Sequence, residues 1–279
     1  MTAVGVAGTV GEALASATDA LAAAGVDSPR LDAELLLAEA TGLDRARLAA
    51  DPDAGVSAAA GRGFGAMVRR RLVREPVAYI LGRKGFRRLE LAVDRRVLVP
   101  RPETELLVEL ALELRPATVL DVGTGSGAIA LAVADELPAS AVVATDTSLD
   151  ALAVAAANRE RLGARERVRL APGSLADGGF DLVLANLPYV SEDEWQALAP
   201  EIREFEPRQA LVSGPTGLEA IETLLSSVSL APEPPVALGL EVGAGQAPTV
   251  AELLRRSGFE RVERRRDLAG IERVVVGWL

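Results

Sequence analysis

Residues 119–134, VLDVGTGSGAIALAVA, carry the reading of the whole chain. A short apolar run stops at Gly123, glycines stand at three alternate positions, and a second apolar run begins at once. The pattern predicts a buried strand, a tight turn and a helix. Glycines at 123, 125 and 127 let the backbone approach a ligand and leave amide N–H groups pointing outward at the helix start. The spacing is not that of the dinucleotide fingerprint, whose third glycine falls one residue later. Asp146 closes the next apolar run, AVVATD. From a strand end, a carboxylate accepts hydrogen bonds from both ribose hydroxyls of an adenosine. A helix N-cap is the structural alternative, but Thr147 and Ser148 serve that purpose equally well. Strand, glycine turn, helix, strand and acid in this order point to nucleoside binding. A nicotinamide dinucleotide and S-adenosylmethionine both fit.

Downstream, the strands RVRLAP, FDLVLAN and PVALGLEVG alternate with the helices LDALAVAAANRERL, GLEAIETLLSSV and TVAELLRRSG. Such alternation predicts an α/β domain with a mainly parallel sheet covered on both faces. RVERRRD and ERVVVGWL are separated by too few residues for a crossover helix, so they are expected to pair antiparallel at one edge. Upstream, the chain is alanine-rich and helical in period. Val10, Leu14, Ala17 and Leu21 share one face of a first helix that Gly25 closes. Ser28 and Pro29 open a second helix, with Leu31, Leu35 and Ala38 inward and Gly42 at its end. Ser57 opens a third, turning Phe64, Met67, Val68 and Leu72 inward. Leu89, Leu91 and Val93, then Val97 and Val99, alternate as two strands of a hairpin around Asp94 and Arg95. The expected organisation is a helical bundle over 1–78, a β-hairpin linker over 79–100 and the α/β domain over 101–279.

The chain has no cysteine and no histidine. That excludes disulfides, thiolate nucleophiles, imidazole bases and the usual zinc sites, and no metal site is expected. Chemistry must run on carboxylates, amides, hydroxyls, backbone groups or a cofactor. A formal net charge of -10 opposes a phosphate backbone. No apolar run approaches the roughly 20 residues of a membrane span, and the N-terminus lacks the basic start of a secretory signal. A cytoplasmic protein is the expectation. Arg69–Arg71 and Arg264–Arg266 read as solvated charge runs, the first able to face an acidic partner.

The strand FDLVLAN runs into Asn186-Leu187-Pro188-Tyr189, which holds one of only two tyrosines. In an open parallel sheet, ligands lie beyond the carboxyl ends of strands. A nitrogen conjugated to a carbonyl or an aromatic ring attacks poorly while its lone pair is delocalised. The Asn186 side-chain oxygen and a following backbone carbonyl accept both hydrogens of such an NH2 group and aim it. Pro188 stiffens the turn, and Tyr189 offers a flat face to the planar group. A sulfonium methyl donor needs no strong base, which suits a chain without histidine.

These pieces, with REPVAYILGRKGF, VLVPRPETELLVE and FEPRQAL in this order and spacing, resemble the class I methyltransferases that modify the side-chain amide of glutamine in peptide chain release factors. The resemblance covers nearly the whole chain. It implies a Rossmann-like sheet with S-adenosylmethionine as cofactor, preceded by a small N-terminal helical bundle that helps grip the release factor. By the same resemblance Gly123, Thr124, Gly125, Ser126, Gly127 and Asp146 contact the methyl donor. Asn186, Leu187, Pro188 and Tyr189 hold the glutamine of the GGQ motif, with Asn186 near both ligands. Glu103 and Thr104 would lie near the cofactor, and Arg208 would brace the Asn186 loop. The chain departs from the family at Leu187, where proline is usual. It also departs at Ser174 and Leu175, where an acid and an aromatic are common near the adenine, so adenine would rest on an aliphatic wall at Leu175. The form NLPY is typical of ribosomal RNA adenine dimethyltransferases, which makes adenine N6 in RNA the alternative substrate. A nicotinamide dehydrogenase and an inactive binding module are the further alternatives. Trp195 is placed in a mobile cover or in the core, and Trp278 in the core.

Overall fold

The computed structural model describes residues 6–174 and 179–279. The chain forms two compact units, Met1–Gly82 with Ala199–Phe205, and Arg83–Leu198 with Glu206–Leu279.

In the first unit, the helix Val10–Ala23 starts at a reciprocal cap between Thr9 and Glu12 and buries Val10, Leu14, Ala17 and Leu21, as its spacing predicts. The helix Pro29–Thr41 ends at Gly42 in the left-handed conformation. Its inward face differs from the expected one: Asp32, Ala33, Leu36 and Leu37 are buried, and Leu31 is 41% exposed. Three consecutive leucines leave the apolar period open to a small rotation, and Asp32 settles it by pairing with Arg71 at 2.7 Å. Ser28 makes no side-chain cap. A short helix, Arg45–Ala50, intervenes before Ala58–Leu72, whose N-cap is Ser57. The arginines at 69–71 are not all solvated. Arg71 is 6% exposed and also binds Glu201 at 2.8 Å, while Arg70 chelates Glu75. A planar guanidinium with several acceptors is the cation that burial tolerates best. The second run, Arg264–Arg266, pairs along the surface with Glu272 and Glu113.

The second unit opens with the hairpin, which is displaced from its expected place. Arg83–Phe86 pairs with Leu89–Ala92, so the turn lies at Arg87 and Arg88. Arg87 adopts a positive φ of 51°, and its side chain is anchored to Glu136 at 2.8 Å. Asp94 folds back onto Arg96 instead, and Val97 and Val99 are buried outside any strand. Seven strands follow: β1 (Thr118–Val122), β2 (Ala141–Asp146), β3 (Val168–Pro172), β4 (Leu182–Ala185), β5 (Ala237–Glu241), β6 (Arg261–Arg266) and β7 (Glu272–Trp278). Their order across the sheet is β6-β7-β5-β4-β1-β2-β3. All pairings are parallel except that β7 runs antiparallel to both β5 and β6. Alternate residues feed two cores. Val119, Leu182, Leu184 and Val274 meet the helix Glu105–Leu114, and Leu120, Val183, Leu238 and Val275 meet the helices Glu219–Ser229 and Ala247–Arg256. Strand order reverses between β1 and β4, the point where such sheets take ligands. Gly123, Asp146 and Asn186 all lie at the carboxyl ends there.

Candidate active site

The glycine turn folds tightly because all three glycines take positive φ, 76° at Gly123, 56° at Gly125 and 86° at Gly127. A side chain at Gly127 would strike Leu131, whose Cδ1 lies 2.8 Å from the Cβ position. At Gly125 nothing lies within 4 Å of that position, so this backbone borders open space. The amides do not point outward as expected. Gly123 and Thr124 both donate to the Thr145 carbonyl at 2.9 Å, and Gly127 donates to Thr124 at 2.8 Å. Gly125 donates to Asp146 Oδ2 at 2.9 Å. Three of these donors are spent on the neighbouring strand β2 and the fourth within the turn, which suits a nucleoside ligand better than a phosphate. The other Asp146 oxygen takes the Ser148 N–H at 2.8 Å, and Ser148 is the helix cap, accepting from Ala151. Each carboxylate oxygen keeps a lone pair for a hydroxyl.

Across the crevice stands Asn186. Its Nδ2 donates to Thr104 Oγ1 at 3.0 Å, which turns Oδ1 the other way. Asn186, Leu187 and Pro188 line the same crevice as Gly123, Thr124, Gly125, Ser126, Asp146 and Ser174. Gly127 and Tyr189 do not line it. The Tyr189 ring is turned inward, its hydroxyl 3.4 Å from Glu241 Oε1, and burial, then the nearby Glu241 charge, push its phenol upward. Leu175, the expected adenine wall, lies outside the described residues. Among the described residues no group of acids could hold a metal ion.

Comparison with known proteins decides the family. The chain is 39% identical to the release factor glutamine methyltransferase of Caulobacter vibrioides over 96% of both chains. It is 42% identical to that of Rhodopirellula baltica over 96% of this chain and 95% of the relative. The chain belongs to the release factor glutamine methyltransferase family. Residues 12–82 match the model of the PrmC N-terminal domain, and residues 119–205 match that of a methyltransferase domain. Among solved structures, the human Mettl16 catalytic domain in complex with an MAT2A 3′UTR hairpin aligns with a TM-score of 0.58 at 13% identity, over 67% of this chain and 74% of that one. A methyltransferase from Pyrococcus furiosus gives 0.51 at 18%, over 68% and 88%. These two share the fold.

For a release factor glutamine methyltransferase, the class I fold implies S-adenosylmethionine as methyl donor. The crevice fits one: an open backbone edge at Gly125, an acid with spare lone pairs, and apolar lining from Val97, Leu98, Val122, Ile129 and Ala151. Four buried polar side chains around the site were not assigned from the sequence. Asn158, fully buried, donates from Nδ2 to the carbonyls of Ala92 and Ser126 and accepts the Ala92 N–H on Oδ1, tying the hairpin to the glycine turn. Asp121, also fully buried, accepts from Thr124 Oγ1 at 2.6 Å and Ala130 N–H at 3.1 Å. Glu206 of FEPRQAL holds the Val99 N–H and Arg101. Glu241 is buried with one oxygen toward the Tyr189 hydroxyl. For Asp121, Asn158 and Glu241 the only signal was a polar residue inside a strand or helix period, while Glu206 lies outside any such element in FEPRQAL, a segment that carries the resemblance. Arg208 does not brace the Asn186 loop with its side chain, which is exposed and lies over the Trp195 ring at 5.8 Å. The brace is backbone, Val190 to Leu211 and Ser213 to Val190 at 2.9 Å each. Trp195 is 9% exposed and so packs inward, and Trp278 is half-buried beneath Arg261.

Proposed function

We propose that this protein transfers a methyl group from S-adenosylmethionine to the side-chain amide nitrogen of the glutamine in the GGQ motif of release factors. The observation that carries the reading is the Asn186 amide, whose nitrogen is committed to Thr104 and whose oxygen is left for a donor in the crevice. S-adenosylmethionine supplies a methyl group on a cationic sulfur, so the transfer relieves charge. The chain's own residues do the rest. Asn186 Oδ1 and the carbonyl of Leu187 or Pro188 accept the two N–H groups of the glutamine amide and draw its nitrogen out of conjugation. Leu187 in place of the usual proline keeps that carbonyl. Asp146 takes the ribose hydroxyls, and Gly123–Gly127 give the donor a close backbone floor. After the N–C bond forms, the nitrogen sheds one proton to solvent and the amide is neutral again.

The helical residues 1–78 grip the release factor, the segment 79–100 links them to the sheet, and the protein works as a monomer in the cytoplasm without touching nucleic acid or membrane. Support comes from the net charge of -10 and from the fact that, among the described residues, no helix is long and apolar enough to cross a membrane. Incubation with labelled donor and intact release factor should label the factor at its GGQ glutamine. Label in ribosomal RNA alone would assign the adenine substrate that NLPY also fits.

A further inference from the structure

The stretch Asn186–Tyr189 lies between two anchors. Upstream, the Asn186 side chain is tied to Thr104. Downstream, the Tyr189 carbonyl accepts from Gln246 Nε2 at 2.8 Å, a bond that spans 57 residues of chain. The same peptide link is held at its other end, where the Val190 N–H donates to the Leu211 carbonyl at 2.9 Å. The Gln246 amide has only one way round. The Gly243 N–H, which only donates, faces Oε1 at 2.8 Å, and the Tyr189 carbonyl, which only accepts, faces Nε2. Two glycines make room for this side chain. At Gly217, whose φ is 76°, a Cβ would run into the Tyr189 oxygen and stand 3.1 Å from Gln246 Nε2. At Gly243 one would stand 2.9 Å from Gln246 Oε1. Gln246 directly precedes the helix Ala247–Arg256 yet makes no side-chain cap there. Capping its own helix therefore does not explain where the side chain goes.

We propose that Gln246 is a positioning residue for methyl transfer, holding the downstream end of the Asn186–Tyr189 turn so that its carbonyls keep their aim at the substrate amide. This rests on the glutamine reading above. With Asn186 fixed at Thr104 and the Tyr189–Val190 peptide fixed at both ends, only the links through Leu187 and Pro188 are left to turn, and Pro188 has a locked φ. A planar NH2 group needs two acceptors at set angles. Asn186 Oδ1 supplies one, and the carbonyl of Leu187 or Pro188 the other. Releasing Tyr189 lets that second carbonyl swing, and a misplacement of about 1 Å costs up to about 100-fold in rate. Leu187 sharpens the dependence. Proline, usual there in the family, would lock one more φ; leucine leaves that angle to the anchors. Gln246, Gly243, Gly217 and Tyr189 all stand outside the lining of the donor crevice. Gln246 therefore acts on turnover and not on donor binding.

The test uses the full chain, labelled donor and intact release factor. Gln246→Glu keeps the size and the acceptor for Gly243 but sets an oxygen against the Tyr189 carbonyl, and kcat should fall about 10- to 100-fold. The KM for release factor and the calorimetric Kd and stoichiometry for the donor should stay near those of the unmodified protein; a merely structural role would move them too. Gly243→Ala is an independent check. Its φ lies outside the left-handed region, so the backbone accepts alanine, and the new Cβ meets the far end of the Gln246 side chain, which shifts and lets go of Tyr189. Here too kcat should fall while donor binding persists. In an Asn186→Ala background, Gln246→Glu should add little further loss, since two acceptors that hold one NH2 group act as a unit. Equal kcat in folded Gln246→Glu and the unmodified protein would overturn the proposal, as would losses that multiply in the double variant or a weakened donor Kd that accounts for them. Should Gln246→Glu fail to fold, normal kcat in Gly243→Ala would overturn it alone. If the unmodified protein labels no glutamine, the reaction itself is misread and this inference falls with it; matching rates across variants sink only the inference.

Discussion

Asn186 divides its amide between two tasks, the nitrogen bonded to Thr104 at 3.0 Å and the oxygen turned to the crevice. On the proposed function, Asn186→Ala removes the acceptor that aims the substrate nitrogen. Turnover should fall by about 10²–10³, the usual cost of one such bond in a transition state, while donor binding persists. Near-normal turnover would contradict the clamp. Asp146 has a different load. It bridges Gly125 to Ser148 and lines the crevice, so Asp146→Ala should weaken donor affinity more than it slows the chemical step. Calorimetry with unchanged donor affinity would separate Asp146 from the ribose.

At the scale of elements, the strand Leu89–Ala92, the glycine turn and the helix Leu149–Arg161 are held together by one side chain. Asn158 satisfies the Ala92 N–H, the Ala92 carbonyl and the Ser126 carbonyl. Asn158→Ala strands these groups where water has little access, and stability should drop by about 2 kcal/mol or more. Chemical denaturation measures it. A midpoint equal to that of the unmodified protein would mean the hairpin holds the turn by packing alone. Donor affinity should fall in the same variant, because the Ser126 carbonyl anchors the turn that floors the site. The helix Glu105–Leu114 shows the converse dependence: its approach at Gly239 is what lets Thr104 reach Asn186.

Across the whole molecule, two fully buried acids make stability depend on pH in an unusual direction. Burial pushes Asp121 up to about 7, against hydrogen bonds from Thr124 and Ala130 and with the Asp146 charge adding to it, and Glu241 is raised likewise. The native state holds protons that the unfolded chain has released by about pH 4–5. The stability these groups contribute is present below that range and is lost as pH rises through about 7. Glu34 and Glu136 act in the opposite sense in acid, since their hydrogen bonds to Arg30 and Arg45, and to Arg87, hold both carboxyls low. Between pH 5 and 8 the denaturation midpoint should therefore fall, and Asp121→Asn should flatten the fall. A slope unaltered in that variant would show that Asp121 is ionised throughout. In the helical unit, Asp32→Ala should cost about 3–5 kcal/mol, because Arg71 is left buried beside an empty position,. Thermal unfolding of the full chain measures it, and a loss below about 1 kcal/mol would mean Glu201 suffices as partner.

The order of strands and helices, the glycine turn, the acid at 146 and the amide at 186 were legible because each is written in a short window. Period two, period three to four, and glycine where the chain turns sharply are local properties of a polypeptide. What only the tertiary structure decided are pairings between distant positions: Asp32 with Arg71, which rotates the second helix; Arg87 with Glu136, which anchors the hairpin turn; Asn158 with Ala92; and Thr104 with Asn186, 82 residues apart. A charge or an amide seen alone in sequence looks the same whether water or a buried partner will satisfy it. Strand register and helix approach choose between the two, and neither is a property of any short stretch.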